Sequence, residues 1–337
     1  MGRQVARGHP QGMTDVTPEP IVRIAQGFMA AKFMFAANEL GLFEALSDSP
    51  ADLDALASRT GLTRRSTRIA ADAMVALELL ERDGDEYRNT PAADRFLTGG
   101  QGLQPLLRFW DQISYPTWES LARALATGPV QEATTLPPEK QEIMCAGIEA
   151  VLAGPANALA QVVDFGAHKR LMDVGCGTGS WTITALRHHP QLTATLVDLP
   201  VVADITNKRV AAEGLGDRAG VVAADALADP LPDGHDVVLV ANLVHYFAPP
   251  RAHQLLRNIR AASRAGTRLL LADFWTDPTH TQPVPAALMA GEFAAHVAEG
   301  DVYSVDEVRG WLPDTGWRFE AHQPLAGPQS LITALAV

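Results

Sequence analysis

Residues 171–180, Leu-Met-Asp-Val-Gly-Cys-Gly-Thr-Gly-Ser, constrain the fold of this chain more than any other stretch. Short apolar residues lead into three alternating glycines, Gly175, Gly177 and Gly179, and a helical pattern follows from Trp181. Glycines allow the backbone to bend sharply and a ligand to approach closely, because they have no Cβ. The helix that follows adds unpaired N–H groups and a positive dipole end. The pattern predicts a strand, a tight turn and a helix that bind a nucleotide-type ligand.

The spacing of these glycines indicates the kind of ligand. A dinucleotide-binding turn reads G-x-G-x-x-G, whereas this turn reads G-x-G-x-G and has Asp173 two residues before its first glycine. An acid at that place would repel a pyrophosphate and suits a cationic ligand. The stretch resembles motif I, D-x-G-x-G-x-G, of the class I S-adenosylmethionine (SAM) methyltransferases, and SAM carries an ammonium and a sulfonium. The resemblance implies a SAM site, and the alternative is a glycine-rich turn without a ligand.

Strand and helix patterns alternate after the glycine turn, as a doubly wound α/β sheet requires. Strands of a parallel sheet are predicted at residues 171–174, 192–198, 220–224, 236–241 and 268–273. Two more strands, at residues 317–323 and 330–337, are predicted to pair antiparallel after a late helix with a capping box at Ser304. A parallel sheet with a final reversed hairpin is similar to the Rossmann-like SAM methyltransferase fold, over residues 169–337.

Polar side chains follow the predicted strands at the edge where such sheets bind ligands. Asp198 ends the second strand, where a carboxylate can accept hydrogen bonds from both ribose hydroxyls, and Leu199 follows it and could pack on the adenine. The resemblance implies that Asp225, with Ala226 beside it, contacts the adenine amine. Asn242 ends the fourth strand beside the glycine turn. For each single acid the alternative is a solvated loop residue. The predicted cofactor site consists of these residues together with Asp173, Gly175, Gly177 and Gly179.

Composition argues against several classes of protein. The 337 residues include 39 acidic and 27 basic side chains, and the net charge of −12 argues against partners such as duplex DNA and anionic membrane surfaces. Two cysteines, Cys145 and Cys176, do not make a disulfide framework, so a cytoplasmic location is expected. No stretch is expected to span a bilayer. Residues 1–20 lack the apolar middle of a signal peptide and are predicted to be a disordered tail.

A winged-helix domain is predicted over residues 21–102. Its first helix has a wide apolar face, which indicates burial either against another chain or in an ordinary core. That face consists of Ile21, Ile24, Phe28, Ala31 and Phe35. Helices at residues 52–58 and 63–80 follow, then a hairpin turn at Asp83-Gly84, and Thr90-Pro91 begins another helix. A winged helix is compatible with a transcription factor, but the domain is acidic, and its arginines are interpreted as a solvated face. They are Arg59, Arg64, Arg65 and Arg68.

A winged helix in front of a SAM domain resembles the small-molecule O-methyltransferases, which include plant phenolic and bacterial polyketide enzymes. The resemblance implies that the front domain forms a homodimer, helps to roof the substrate site and does not bind DNA. Residues 103–167 are predicted to be a helical linker over the substrate, and residues 168–337 to be the catalytic domain. Candidate contacts to a small-molecule substrate are Phe109, Trp110 and Trp118. Arg108 and Arg123 are candidates to bind a substrate carboxylate.

Methyl transfer to a hydroxyl or a carbon acid requires an aligned acceptor and the removal of a proton. His245, just after the fourth strand, occupies the place of the general base in the O-methyltransferase family, and the alternative is a structural histidine. The plant enzymes add a glutamate partner after the fifth strand, where this chain has Asp273. Their second glutamate aligns near Val302, where Asp301 is the neighbouring carboxylate.

A second constellation lies on a predicted helix over residues 285–298. Glu292 and His296 are four residues apart and therefore on one face of an otherwise apolar helix. Together with His245 they resemble the ligand set of the bacterial 2-oxo acid C-methyltransferases. That resemblance implies a zinc or iron ion that holds a 2-oxo acid while its β-carbon is methylated. The alternative is an i,i+4 surface pair. Met289 and Phe293, on the same helix, are further candidates for substrate contact.

Three functions therefore compete. The sequence favours a metal-dependent SAM methyltransferase of secondary metabolism that acts on a 2-oxo acid, with a metal-bound water, Asp273 or Tyr303 as the candidate base. The alternative is a metal-free O-methyltransferase of a phenol or polyketide, with His245 as the base. The third is a non-catalytic SAM-binding or winged-helix regulator.

Overall fold

The structure is a computed structural model that describes residues 16–100, 102–128 and 136–337. The chain forms two compact units, of which one ends at Gly99 and the other begins at Gly100. Of the tail predicted at residues 1–20, residues 1–15 lie outside the described residues. Its last two residues, Glu19 and Pro20, belong to the first helix. The division of the second unit into a linker and a catalytic domain stays a prediction.

The first unit is helical with a small antiparallel sheet in the order β1–β3–β2. Three of its helices begin where an oxygen of a capping side chain accepts a backbone N–H, at Asp52, Thr63 and Thr90. Its elements are α1 (Glu19–Glu39), β1 (Ala51–Asp52), α2 (Leu53–Thr60), α3 (Arg64–Ala76), β2 (Leu80–Asp83), β3 (Glu86–Asn89) and α4 (Pro91–Leu97).

Helix α3 is shorter than the predicted helix at residues 63–80. It ends at Ala76, and Glu78 then takes a left-handed conformation with φ of 59°, which turns the chain so that Leu80 begins β2. Two of the arginines on α3 pair with neighbouring acids. The side chain of Arg64 lies 2.7 Å from Asp54, and Arg68 lies 3.1 Å from Asp72 on the next turn. These exposed ion pairs agree with the interpretation of a solvated face.

The second unit contains a seven-stranded sheet in the order β6–β5–β4–β7–β8–β10–β9. The first five strands in that order are parallel, and β10 pairs antiparallel with both β8 and β9. The predicted α/β doubly wound fold with a final reversed hairpin is confirmed. The strands are β4 (Arg170–Val174), β5 (Thr193–Asp198), β6 (Ala219–Ala223), β7 (Val237–Ala241), β8 (Arg268–Asp273), β9 (Trp317–Pro324) and β10 (Ser330–Ala336).

Helices cover both faces of this sheet, so its central strands are buried on both sides. Successive side chains alternate between two apolar clusters: Leu171 and Leu239 lie in one cluster, and Met172 and Val238 lie in the other. On β4 the alternation places a carboxylate, Asp173, on the same face as Leu171. The helices are α5 (Gln104–Phe109), α6 (Tyr115–Trp118), α7 (Leu121–Thr127), α8 (Pro138–Val162), α9 (Ser180–His188), α10 (Pro200–Ala212), α11 (Pro249–Ala261), α12 (Val284–His296) and α13 (Val305–Asp314).

The predicted helical linker is broken into several pieces. Between α5 and α6 the chain forms a turn of π-helix at Trp110–Ser114, a local conformation that often occurs at functional sites.

The expectation that no stretch is long and apolar enough to span a membrane was wrong, as judged by length and composition alone. Within the described residues, Glu139–Val162 reaches a mean hydropathy of 1.5 and is long enough to cross a bilayer. This helix, most of α8, packs against α5 and α9 of the same unit.

Candidate functional site

The three glycines of the turn between β4 and α9 all have left-handed backbone conformations, with φ between 54° and 81°. A Cβ at Gly175 would lie 2.6 Å from the side chain of Leu243, and a Cβ at Gly179 would lie 2.9 Å from that of Leu196. A Cβ at Gly177 would meet no atom within 4 Å. Two of the glycines are therefore required by packing, whereas Gly177 borders free space of the kind that a bound ligand needs.

Asp198, at the carboxyl end of β5, is fixed by the glycine turn. Its Oδ2 accepts the N–H of Gly177 at 2.8 Å, and its Oδ1 accepts the N–H of Leu199 at 2.8 Å. Burial raises the pKa of this carboxyl, although the two N–H groups oppose the shift. Each oxygen keeps a lone pair that can accept a ribose hydroxyl. Leu199 beside it is half-exposed, as an apolar contact for a base would be.

Asp173 is fully buried below the turn. Its Oδ2 accepts the hydroxyl of Thr182 at 2.6 Å, and its Oδ1 is buried without a hydrogen-bond partner. Burial raises the pKa of Asp173 to about 7, which the Thr182 hydroxyl opposes and the negative charge of Asp198 reinforces. Asn242, at the end of β7, also has a buried oxygen without a partner and a left-handed φ of 51°. Unpaired acceptors at these two strand ends suit a cationic donor, so the residues present fit SAM.

Asp225 follows β6 in a loop that its own side chain shapes. Its Oδ1 accepts the N–H of Leu227 at 2.9 Å, and its N–H donates to Asp229 at 2.8 Å. The carbonyl of Ala226 accepts a hydrogen bond from Asn258 at 3.0 Å. The loop is thus held at the edge of the sheet, where Asp225 and Ala226 were predicted to meet the adenine.

Two residues of α10 that sequence reasoning missed hold the glycine turn. The hydroxyl of Thr206 donates to the carbonyl of Gly177 at 2.5 Å. One turn further, the Arg209 guanidinium donates to the hydroxyls of Thr178 at 2.7 Å and Ser180 at 3.0 Å. Their i,i+3 spacing on the helix after Asp198 was the available signal. Because Asp198 accepts the N–H of Gly177 and Thr206 donates to its carbonyl, β5 and α10 hold both backbone polar groups of this residue.

His245 and Asp273 form a buried pair at the carboxyl ends of β7 and β8. His245 lies in a short 3₁₀ turn, is 5% exposed, and has its Nδ1 2.7 Å from Oδ1 of Asp273. A carboxylate only accepts hydrogen bonds, so Nδ1 carries the proton and Nε2 of the neutral ring carries the lone pair. The ring of Phe293 stacks on this imidazole, with 3.8 Å between centroids and 10° between planes. This arrangement can accept a proton at Nε2.

The other candidates near this pair have different roles. The hydroxyl of Tyr303 donates to the carbonyl of Phe247 at 2.7 Å, and burial raises the pKa of Tyr303 to about 12, so this phenol is poorly suited to act as a base. Asp301 is exposed at the surface, and its N–H donates to the carbonyl of His245 at 3.0 Å. Asp301 therefore supports the backbone of His245, and its carboxylate accepts the N–H of Val302.

Glu292 and His296 form a mostly buried pair on α12. Glu292 accepts the hydroxyl of Ser114 at 2.7 Å and the indole N–H of Trp118, and its other oxygen lies 3.1 Å from Nε2 of His296. Burial on its own would raise the pKa of Glu292, but hydrogen bonds and charge from His296, Trp118 and Ser114 hold that pKa below its usual value. The two side chains are only 13% and 14% exposed.

The predicted zinc or iron site is not supported. No group of three histidine, cysteine, aspartate or glutamate side chains that could hold a metal ion occurs in the parts of the chain that the structure describes. The oxygens of Glu292 are already engaged by Ser114, Trp118 and His296. The alternative of an i,i+4 pair agrees with the geometry, except that the pair lies in the interior and not on the surface.

The predicted substrate contacts fall into two groups. Met289 and Phe293 belong to an apolar cluster on α12, and Trp118 packs so closely beside that helix that a Cβ at Gly291 would lie 2.9 Å from its ring. Phe109 lies against α8, where a Cβ at Gly147 would overlap its side chain. Trp110 is 39% exposed. The candidates for a substrate carboxylate, Arg108 and Arg123, are both exposed.

Comparison with known proteins gives consistent matches along the chain. A family model described as an O-methyltransferase domain matches residues 124–318, and one described as an O-methyltransferase dimerisation domain matches residues 22–99. The chain is 32% identical to 3-hydroxy-5-methyl-1-naphthoate 3-O-methyltransferase of Streptomyces sahachiroi, over 89% of each protein. It is 30% identical to the tetracenomycin polyketide synthesis 8-O-methyl transferase TcmO of Streptomyces glaucescens, over 93% of this chain and 95% of the relative. The solved structure described as PigF with SAH has a TM-score of 0.81 at 25% identity, and the match covers 95% of this chain and 100% of that one.

Proposed function

The chain belongs to the O-methyltransferase family and is a SAM-dependent methyltransferase, and on this premise we propose that it methylates a hydroxyl of an aromatic or polyketide small molecule in secondary metabolism. The observation that carries the proposal is the His245–Asp273 pair, which holds a base at the edge of the sheet where ligands bind. We further propose that the enzyme works in the cytoplasm, in keeping with its two free cysteines.

The C-methylation of a 2-oxo acid, which the sequence favoured, is not supported. The two relatives that are at least 30% identical are named as O-methyltransferases, and the ligand set on which the C-methylation hypothesis depended does not form a metal site in the described residues. His245 was common to both hypotheses. The bond from Nδ1 to Asp273 leaves Nε2 free to accept a proton, as the metal-free alternative with His245 as a general base requires.

Residues at the ends of β4, β5, β6 and β7 are proposed to bind the cofactor. SAM, when bound, supplies an electrophilic methyl group on a sulfonium. Gly177 is proposed to let the ligand approach the backbone, Asp198 to accept the ribose hydroxyls and Asp225 to meet the adenine amine. Asp173 and Asn242 contribute the unpaired acceptors that suit the ammonium group.

The chemical step is proposed to depend on His245. Nε2 takes the proton of the acceptor hydroxyl as that oxygen becomes the nucleophile, and the imidazolium that forms is stabilised by the Asp273 carboxylate. Asp273 also accepts the N–H of Phe274 at 2.9 Å, which fixes the carboxylate. The apolar side chains around this pair, Phe293 among them, exclude water from the base.

The test is methyl transfer by the purified protein with SAM. The acceptors are 3-hydroxy-5-methyl-1-naphthoate and hydroxylated polycyclic analogues, with phenylpyruvate and 4-methyl-2-oxovalerate as the competing class. The proposal expects a new methyl on oxygen, located by NMR, at a rate that a chelator does not change. Methylation of the β-carbon of a 2-oxo acid, lost with the chelator, would contradict it.

A further inference from the structure

Glu292 forms a buried cluster with Ser114, Trp118 and His296 that takes no part in the proposed chemical step. Carboxylates are seldom buried unless they are paired and hydrogen-bonded, and this one has three partners. Two of those partners, Ser114 and Trp118, belong to the π-helical turn and α6, which are far from α12 in the sequence. The third, His296, lies on α12 itself. The cluster therefore ties α12 to the segment at residues 110–118.

Close packing accompanies these hydrogen bonds. A Cβ at Gly291 would lie 2.9 Å from Cη2 of Trp118, so the two elements approach as they do only because residue 291 has no side chain. On the other side, a Cβ at Gly300 would lie 3.0 Å from Cβ of Phe293 and 3.1 Å from the carbonyl of His245. Helix α12 is thus held in place on both sides of Phe293.

Phe293 directly follows Glu292 and covers the face of the His245 imidazole. Its ring is 7% exposed and lies nearly parallel to the imidazole, with 3.8 Å between centroids. Asp273 fixes one nitrogen of the imidazole, but a single hydrogen bond leaves the ring free to rock about that bond. A parallel ring against its face fixes the plane. Together, Asp273 and Phe293 define the direction in which Nε2 points.

We propose that Glu292 and Phe293 are positioning residues for His245. Glu292 fastens α12 to Ser114 and Trp118, and Phe293, carried by the same helix, holds the imidazole plane so that Nε2 faces the acceptor. The catalytic consequence rests on the proposed function, in which His245 is the base. The positional part rests on the contacts of these side chains alone.

The position of the imidazole is measured by NMR on protein labelled with ¹³C at histidine. Ring protons of His245 stacked on Phe293 are shifted upfield, and His245→Asn assigns their signals. Phe293→Leu keeps an apolar side chain and is expected to lose the shift, whereas Phe293→Tyr keeps it. Glu292→Ala is expected to lose it as well, while Glu292→Gln retains it because its amide oxygen still accepts from Ser114 and Trp118. Leu288→Ala, at an exposed position of α12, is the control without effect.

Kinetics with 3-hydroxy-5-methyl-1-naphthoate give the catalytic readout. Phe293→Leu and Glu292→Ala are each expected to lower kcat about tenfold or more with the KM for SAM unchanged. Phe293→Tyr and Glu292→Gln are expected to keep kcat near the wild-type value. Combining Phe293→Leu with Glu292→Ala should cost little beyond either single change, because both act through the same imidazole.

Three results would overturn the proposal. They are an unchanged His245 signal in both Phe293→Leu and Glu292→Ala, equal activity of Phe293→Leu and Phe293→Tyr, and a bound metal that Glu292→Ala releases. If Glu292→Ala does not fold, Ser114→Ala removes a hydrogen bond to Glu292 and tests the link to α12, while the two Phe293 variants test the stacking. A wild-type protein that leaves the naphthoate unmethylated contradicts the proposed acceptor, while the NMR result still decides the positional claim.

Discussion

His245 has two ring nitrogens, and the structure gives them different tasks. Nδ1–H is bound to Asp273, and Nε2 is the nitrogen that can take a proton. Asp273→Asn keeps the shape of the partner but removes the charge that stabilises the imidazolium and can reverse the tautomer. We expect kcat to fall by roughly 10²- to 10⁴-fold with the Kd for SAM unchanged, measured by initial rates and calorimetry. Glu299→Gln, an exposed acid paired with Arg251, is the charge-matched control and should leave both unchanged.

Asp173 makes the stability of the ligand-free protein depend on pH. Its pKa rises from 3.8 when unfolded to about 7 when folded, so the folded state binds the proton more tightly. The contribution of Asp173 to the free energy of unfolding is therefore fully present below about pH 4. It decreases as the pH rises towards 7 and is lost above that, by up to about 4 kcal/mol in total. Chemical unfolding of wild type and Asp173→Asn at pH 5, 6, 7 and 8 measures it. Asp173→Asn should remove the decrease of the free energy of unfolding with pH. An equal decrease in the two proteins would show that Asp173 is not its cause.

At the scale of elements, α10 is expected to govern cofactor affinity through Arg209. This residue pairs with Glu149 of α8 and donates to the hydroxyls of Thr178 and Ser180 in the glycine turn. Arg209→Met removes those bonds from a turn whose geometry must suit SAM. We expect the Kd for SAM to rise about tenfold, or ~1.4 kcal/mol, with kcat at saturating SAM nearly unchanged.

The control for that prediction is another arginine that pairs with an acid of a neighbouring segment. Arg187 of α9 pairs with Glu213, just after α10, and not with the glycine turn. Arg187→Met makes the same change of charge and should leave the Kd for SAM unchanged. If both variants raise the Kd for SAM equally, the cause is long-range charge and not the hydrogen bonds from Arg209 to the glycine turn.

Local signals in the sequence predict the elements well where the backbone needs a special residue. Gly175 and Gly179 have conformations and neighbours that exclude a Cβ, so their spacing marked the turn. Asp52, Thr63 and Thr90 begin helices because their side chains accept N–H groups close by in sequence. The end of the helix after Thr63 was missed, because its apolar period continues beyond the turn at Glu78.

Contacts between distant segments could not be predicted in this way. Ser114 and Glu292 are 178 residues apart, and no periodicity indicates that the hydroxyl would occupy the carboxylate. With that partner unknown, Glu292 and His296 resembled metal ligands. The i,i+4 spacing was interpreted correctly as one helix face, but what faces it is a property of the tertiary fold. The same reason explains why Arg209 was overlooked.

The whole molecule is expected to be a homodimer, as the match to a dimerisation domain supports. Helix α1 carries an exposed apolar face, with Ile21, Ile24 and Phe28 at 72%, 78% and 51% exposure. Such a face on a stable unit marks an interaction surface. The double variant Ile24→Asp, Phe28→Asp should be a monomer by size-exclusion chromatography with light scattering, because a buried unpaired carboxylate opposes association. Arg65→Asp, a charge change at an exposed position of α3, should stay dimeric.

Two results would contradict the prediction of a homodimer formed through α1: a wild type that is monomeric at micromolar concentration, or a double variant that stays dimeric. The net charge of −12 also predicts no salt-dependent binding to duplex DNA, although the sequence predicts a winged helix over residues 21–102. A gel shift with random duplex at low salt tests this, and tight binding would favour a regulator over an enzyme.

Removal of the proton of the acceptor hydroxyl by His245 is the step on which the proposed function depends. It is tested most directly by kcat of His245→Asn as a function of pH, with naphthol-type acceptors of decreasing hydroxyl pKa. If the base is missing, the variant can use only acceptor that has already ionised. Its rate should therefore rise about tenfold per pH unit below the acceptor pKa, and at a given pH the loss of rate relative to wild type should be largest for the least acidic acceptor. A defect that is the same at every pH and for every acceptor would contradict the account.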